Sequence, residues 1–350
     1  MFKKIKTITL FSIKKDFQAG LNVALLAIPQ GMAYALIAGL PLYYGLLASG
    51  IAALLGGIFG GGRFITLGPT NATAVLLFGV FAQMNMVAND GTILESALLI
   101  LPSILLCSGL FLVIAGILRI SFLVKFISRT VVTAYITAAA LLIICNQVRS
   151  VLGLESSHPL GSNFFETAVF IFRHLLDFSI SSVMLSFFSA TVYLILQKKF
   201  RVLPNVAITL ILGSLVGQIL LNYQYSVTCL QPFHSSYAPI SIPHFELSIK
   251  HWQVILQTSV ALSLLCLIEG LSIGKSLASR CGKRIDSDRE AFSFGMGNIG
   301  CAFLSGMPAS GSLTRSSLNV NSGAKSGVSN LFTGILVLCG YFMLGDLVSY

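Results

Sequence analysis

Arg315 stands in the stretch GMPASGSLTRSSLNVNSGAKS, residues 306–326, in a chain that is otherwise 55% hydrophobic. A second polar stretch, ITLGPTNAT (65–73), is built like LSGMPASGSLT (304–314): Gly and Pro break an apolar run, and small polar residues come next. A helix that begins after such a break exposes unpaired backbone N–H groups and the positive end of its dipole, about half a unit charge. That is a setting for an anion. Arg315 adds a full charge, which at the centre of a membrane helix costs about 2.5–3.5 kcal/mol unless it is paired or hydrated. The chemistry within reach is recognition of a small oxyanion. The bland alternative, polar glue between helices, is disfavoured by the doubled arrangement and the arginine. Glu269, in LLCLIEGLSIGKSLA, is the other costly side chain. It would carry a coupling proton, bind a cation, or neutralise Arg315 or Lys275, and the sequence leaves these alternatives open.

These residues need membrane helices to position them. Only 10% of the 350 residues are charged and the mean hydropathy is +0.87, whereas a soluble domain carries about 25% charged residues. Apolar runs of membrane-spanning size (about 20 residues) occupy 17–40, 41–62, 64–88, 96–118, 130–148, 178–197, 202–225, 252–277 and 326–345, with a shorter one at 291–304. Lipid requires each backbone group to be satisfied within the protein, so these read as helices. Pro29-Gln30 is expected to interrupt the first, and the glycines of GGIFGGG (56–62) to let helices pack closely. In the third segment "FIT" (64–66) suggests a short extended piece, with Gly68-Pro69 starting a helix. Interrupted segments at matching places in two halves are the best sequence pointer to a transporter binding site.

The net charge of +10 does not indicate nucleic acid. With the N-terminus in the cytoplasm, most of the 22 lysines and arginines fall on the inner side, as the positive-inside rule requires. The expected location is the cell membrane, multi-pass, after a cytoplasmic lead over residues 1–15. Lys14 and Lys15 come directly after the short apolar run 8–13, which argues against a cleaved signal peptide. Residues 162–177 read as a helix lying at the outer surface. The seven cysteines form no CxxC pair, and the histidines at 158, 174, 234, 244 and 251 fall in outer regions, where they read as solvated residues, so no metal site or cofactor is expected. No HExxH, paired catalytic carboxylates or nucleophile elbow points to an enzyme.

The sequence resembles the sulfate permease (SulP) type of anion transporter, which includes the animal sulfate, chloride and bicarbonate exchangers. The resemblance begins at DFQAGLNVALLAIPQGMAYALIAGLPLYYGLLAS and continues through GPTNATAVLL. It is densest in DREAFSFGMGNIGCAFLSGMPASGSLTRSSLNVNSGAKS, where Glu290, Gly295, Asn298, Pro308, Gly311, Arg315, Asn319 and Gly323 match the pattern. Leu47 replaces the usual Tyr. The likeness implies an all-α integral membrane protein with a seven-plus-seven inverted repeat, a core domain and a gate domain. Short extended segments would precede half-helices three and ten. It implies an anion site lined by Gln30 and Tyr34 from the first helix and by Thr70, Asn71 and Ala72 from the third. Ser310, Gly311, Ser312, Thr314 and Arg315 of the tenth would complete it, with Glu269 of the eighth beside it as the coupling-ion residue.

Tyr350 comes after the eleventh helix of that pattern, so the expectation for residues 16–350 is a truncated transmembrane domain of about eleven segments. Its second repeat would be incomplete, and helices twelve to fourteen and the STAS domain would be missing. The leading function is secondary active transport of a small inorganic or carboxylic anion, such as sulfate or bicarbonate, by symport or exchange. A proton or sodium ion would be the coupling partner, the lipid bilayer the setting, and a homodimer the assembly if the chain is complete. A truncated protein that transports nothing, and a nucleobase permease of the same fold, are the alternatives; neutral bases do not need Arg315.

Overall fold

The computed structural model describes residues 10–88, 92–119, 164–199, 205–223, 240–243 and 249–344. Between 119 and 164 it also describes residues 130, 134, 137, 141, 144, 145, 147–149 and 151–154. The histidines at 158, 234 and 244, residues 1–9 of the lead, and parts of the segments at 130–148 and 202–225 lie outside the described residues.

Helices dominate, as the apolar runs require. They are α1 (Leu10–Ile37), α2 (Leu42–Phe59), α3 (Asn71–Gln83), α4 (Glu95–Ile117), α5 (Phe164–Arg173), α6 (Ile180–Lys199) and α7 (Asn205–Asn222). After these come α8 (Ile249–Arg280), α9 (Ser287–Phe303), α10 (Leu313–Asn321) and α11 (Val328–Leu344). Strand β1 (Leu67–Pro69) precedes α3, and β2 (Ala309–Gly311) precedes α10. Among the described residues, α1, α2, α4, α6 and α8 are long and apolar enough to cross a membrane. A helix was expected at 162–177, and α5 occupies Phe164–Arg173 of that stretch.

Two compact units emerge from the packing: one holds α1–α4, α8–α11 and both strands, the other α5–α7. In the first unit α9 packs on α4 and α2, and α11 packs on α1 and α2. Small residues set the separations. Gly31 of α1 faces Gly45 of α2 so closely that a Cβ on Gly45 would overlap the Gly31 carbonyl. Of the glycines ending α2, a Cβ on Gly57 would sit 2.7 Å from Leu331 Cδ2 of α11, while Gly62 faces open space.

Two local expectations are corrected. Pro29 does not interrupt α1, which continues as one helix from Leu10 to Ile37. Proline removes one hydrogen bond, and the tight packing at Gly31, two residues on, holds the helix together. The extended piece is not at 64–66 but at Leu67–Pro69, and Pro69 belongs to the strand rather than the first helical turn. Thr70 provides the N-cap instead. Its Oγ accepts from Thr73 N while Thr73 Oγ accepts from Thr70 N, a capping box that satisfies two otherwise open donors.

Candidate functional site

The two strands bring the two polar stretches together. β1 and β2 pair antiparallel with Leu67 opposite Gly311, Gly68 opposite Ser310 and Pro69 opposite Ala309. Ser312 N donates to Thr66 O (3.2 Å), extending the pairing. Each strand runs directly into a short helix, capped by Thr70 in one case and Ser312 in the other. With 13 and 9 residues, α3 and α10 are about 20 and 14 Å long, too short for a hydrocarbon core of about 30 Å. The strand pair therefore holds two half-helices by their N-termini. By helix geometry the first N–H groups, of Asn71 and Ala72 at one and of Leu313 and Thr314 at the other, have no carbonyl within their helices.

Arg315 lies in the first turn of α10 and is fully buried. One Nη donates to the Pro69 carbonyl of β1, while Nε and the other Nη are buried without a hydrogen-bond partner. Glycine at 68 makes this approach feasible, since a Cβ there would lie 2.6 Å from Arg315 Nη1. Other buried polar atoms nearby are also unpartnered: both side-chain atoms of Asn71, the Ser310 hydroxyl and Gln30 Oε1. Buried polar groups are paired in the great majority of cases, and each exception calls for an explanation. Here the unpaired atoms belong to the two half-helices and their neighbours, around a buried cation.

Every residue expected at the site lies in this one unit. Gln30 of α1 donates to Tyr34 Oη (3.0 Å) and to Thr314 Oγ of α10 (3.1 Å), tying the first helix to the tenth. Thr314 in turn bonds the Ser312 hydroxyl (3.1 Å). Ala72 comes next to Asn71 in the first turn of α3 and is half-buried, and Gly311 closes β2. Glu269 of α8 is half-buried and accepts from Thr70 Oγ (3.1 Å). Its hydrogen bond thus goes to the α3 cap, and that of Arg315 goes to β1. Glycine again sets the geometry: a Cβ on Gly311 would lie 2.7 Å from the Gly270 Cα, so α8 approaches β2 next to Glu269. Lys275 lies farther along α8, lining a separate cavity with Lys283 and Arg284.

Several asparagines that frame the strands had no assigned role at the sequence level. Asn298 of α9 accepts from Ala309 N (3.0 Å) and donates to Ala309 O (2.9 Å), flanking β2. Asn330 of α11 accepts from Thr66 Oγ (2.8 Å) and donates to Ile65 O (2.8 Å), flanking β1. Asn319 donates to Arg63 O (3.0 Å), and Ser316 Oγ accepts from Thr66 N (2.9 Å). Their signal was available: an amide inside an apolar helix is costly unless it bonds.

Comparisons with known proteins agree with this architecture. Over 350 aligned residues the chain is 29% identical to "Sulfate transporter 4.1, chloroplastic" of Arabidopsis thaliana, covering 96% of this chain and 49% of that protein. It is 28% identical to the "Sodium-independent sulfate anion transporter" of Bos taurus, covering 98% of this chain and 60% of that one. It thus spans about half to three-fifths of the length of these relatives. Among solved structures, the transmembrane domain of the cyanobacterial bicarbonate transporter BicA superposes with a TM-score of 0.81 at 19% identity, over 98% of this chain and 86% of that one. The murine Solute Carrier 26 family member A9 anion transporter, in its inward-facing state, gives 0.83 at 21% identity, over 99% and 58%. These superpositions show the fold: an all-α, multi-pass membrane architecture. The family model for the sulfate permease family matches residues 13–350, and the chain belongs to that family.

Proposed function

We propose that this chain forms the anion-carrying part of a secondary active transporter, working by alternating access. One observation carries the reading. The N-termini of two half-helices are held together by a strand pair around a buried arginine, with unpartnered polar atoms on both sides. An oxyanion there would accept from the open N–H groups of α3 and α10, from Asn71 Nδ2 and from the free positions of Arg315. Two helix dipoles and a guanidinium select charge, and hydroxyls and N–H groups select oxyanion geometry. The names of the relatives make sulfate and bicarbonate the first anions to try. The unit of α1–α4 and α8–α11 would be the moving core, with α5–α7 contributing to the gate. Glu269, half-buried beside the α3 cap, would be the coupling group. We place the N-terminal end on the cytoplasmic side, from the distribution of basic residues.

The test is uptake of labelled sulfate and bicarbonate into proteoliposomes containing the polypeptide as the cell makes it. Arg315→Ala should reduce uptake to background while inserting normally. A variant that transports like the wild type would remove the anion-site reading.

A further inference from the structure

Asn298 lies on α9, outside the half-helices, and is 1% exposed. Its amide makes a two-point contact with a single residue of β2: Oδ1 accepts from Ala309 N (3.0 Å) and Nδ2 donates to Ala309 O (2.9 Å). Nδ2 also donates to Phe294 O within α9 (2.9 Å). In an antiparallel pair alternate residues turn their backbone groups to the outer edge, and here the outer edge of β2 ends on this amide. Asn298 therefore acts as a third strand one residue long. Cys266 of α8 adds a weak donor to the same Ala309 carbonyl (3.3 Å).

The contact matters because Ala309 leads straight into the anion-facing residues. Ser310, with its unpartnered hydroxyl, is the next residue, Ser312 caps α10 two positions later, and Arg315 is three beyond that. A three-residue strand has little pairing of its own to resist sliding or tilting, and a one-residue slip turns every side chain to the opposite face. We propose that Asn298 is a positioning residue that locks the register of β2, and so aims Ser310, the α10 N-terminus and Arg315 at the bound anion. The inference rests on the anion-site reading above but makes a separate claim, that α9 controls affinity without touching the ligand.

The test exploits an isostere. In Asn298→Asp the charged carboxylate can still accept from Ala309 N but has no proton to donate to Ala309 O. As a neutral carboxylic acid it does both, forgoing only the bond to Phe294. Burial at this position (1% exposed) disfavours the charged form and raises the aspartate above its ordinary value of about 3.9, so two measurements on the intact protein, at about pH 5 and about pH 8, bracket its titration. One is amide hydrogen exchange of residues 309–312. The other is equilibrium binding of labelled sulfate and, in parallel, labelled chloride, whose charges do not change over that range. Cys266, Glu269 and Arg315 are ionisable groups near the clamp, and Glu290 and Cys301 are buried ionisable groups on α9 itself, so each variant is compared with the wild type at the same pH.

Asn298→Ala should accelerate exchange and weaken binding by roughly tenfold at both pH values, the loss expected from about 1.4 kcal/mol of hydrogen bonding. Asn298→Asp should match that loss at the higher pH and recover most of it, reversibly, at the lower. Cys266→Ala should have a smaller effect. An aspartate variant equally defective at both pH values, or impossible to recover folded at acid pH, would overturn the proposal. So would an alanine variant with wild-type exchange and affinity. Wild-type protein and Arg315→Ala binding both anions equally would instead sink the anion-site reading, leaving the exchange result to judge the clamp.

Discussion

Arg315 and Glu269 were legible in the sequence because a charged side chain in a membrane segment is expensive and has to be accounted for. Their partners were not legible. Nothing in the spacing indicated that Arg315 would bond the Pro69 carbonyl, some 250 residues away, or Glu269 the Thr70 hydroxyl. Those contacts arise from strand pairing between distant segments. Two predictions belong at this scale. Gly68→Ala places a methyl 2.6 Å from Arg315 Nη1 and must displace the guanidinium. Anion affinity should fall by about tenfold or more, with a stability loss of about 1–3 kcal/mol from overpacking. Wild-type affinity in an equilibrium binding assay would show that the guanidinium position is unimportant. Glu269→Gln keeps an acceptor for Thr70 and removes the charge. Transport by that variant should lose its dependence on a proton or sodium gradient, and dependence retained in proteoliposomes would make Glu269 a structural residue.

At the scale of elements, apolar periodicity placed the long helices well, because burial in lipid leaves few alternatives to a helix. It placed the interruptions less well. The extended piece was expected at 64–66 from its β-branched residues, but strand formation depends on a partner, and the partner Ala309–Gly311 registers against 67–69. Pro29 was read as a break, but packing at Gly31 and Gly45 outweighs one lost hydrogen bond. That packing makes a paired prediction. Gly45→Ala should destabilise the protein by at least about 2–3 kcal/mol, since the new methyl overlaps the Gly31 backbone, which cannot move aside as a side chain could. Gly62→Ala, facing open space, should change stability by less than about 0.5 kcal/mol. Thermal unfolding in detergent distinguishes them. Equal effects would mean that the α1–α2 contact is not a close-packed one.

For the whole molecule, composition established a membrane protein and the resemblance established its family, which the match over residues 13–350 confirms. Orientation rests on charge distribution alone, and it has a direct check in Cys281, an exposed cysteine between α8 and α9. In a Cys229→Ser background, which removes the cysteine of the outer loop that carries His234 and His244, a membrane-impermeant maleimide should label Cys281 in intact cells only after permeabilisation, with the further change Cys281→Ser as the control. Labelling from outside would invert the topology. The central claim concerns the unit that bears the site: the proposed anion lies between the N-termini of α3 and α10, held by Arg315. The most direct measurement is an anomalous difference map of the protein crystallised with selenate, or with bromide if uptake favours a halide. The account predicts a peak within hydrogen-bonding reach of Arg315 and of the first N–H groups of both half-helices, absent in Arg315→Ala. A transport-competent protein whose only peak lies elsewhere would contradict it.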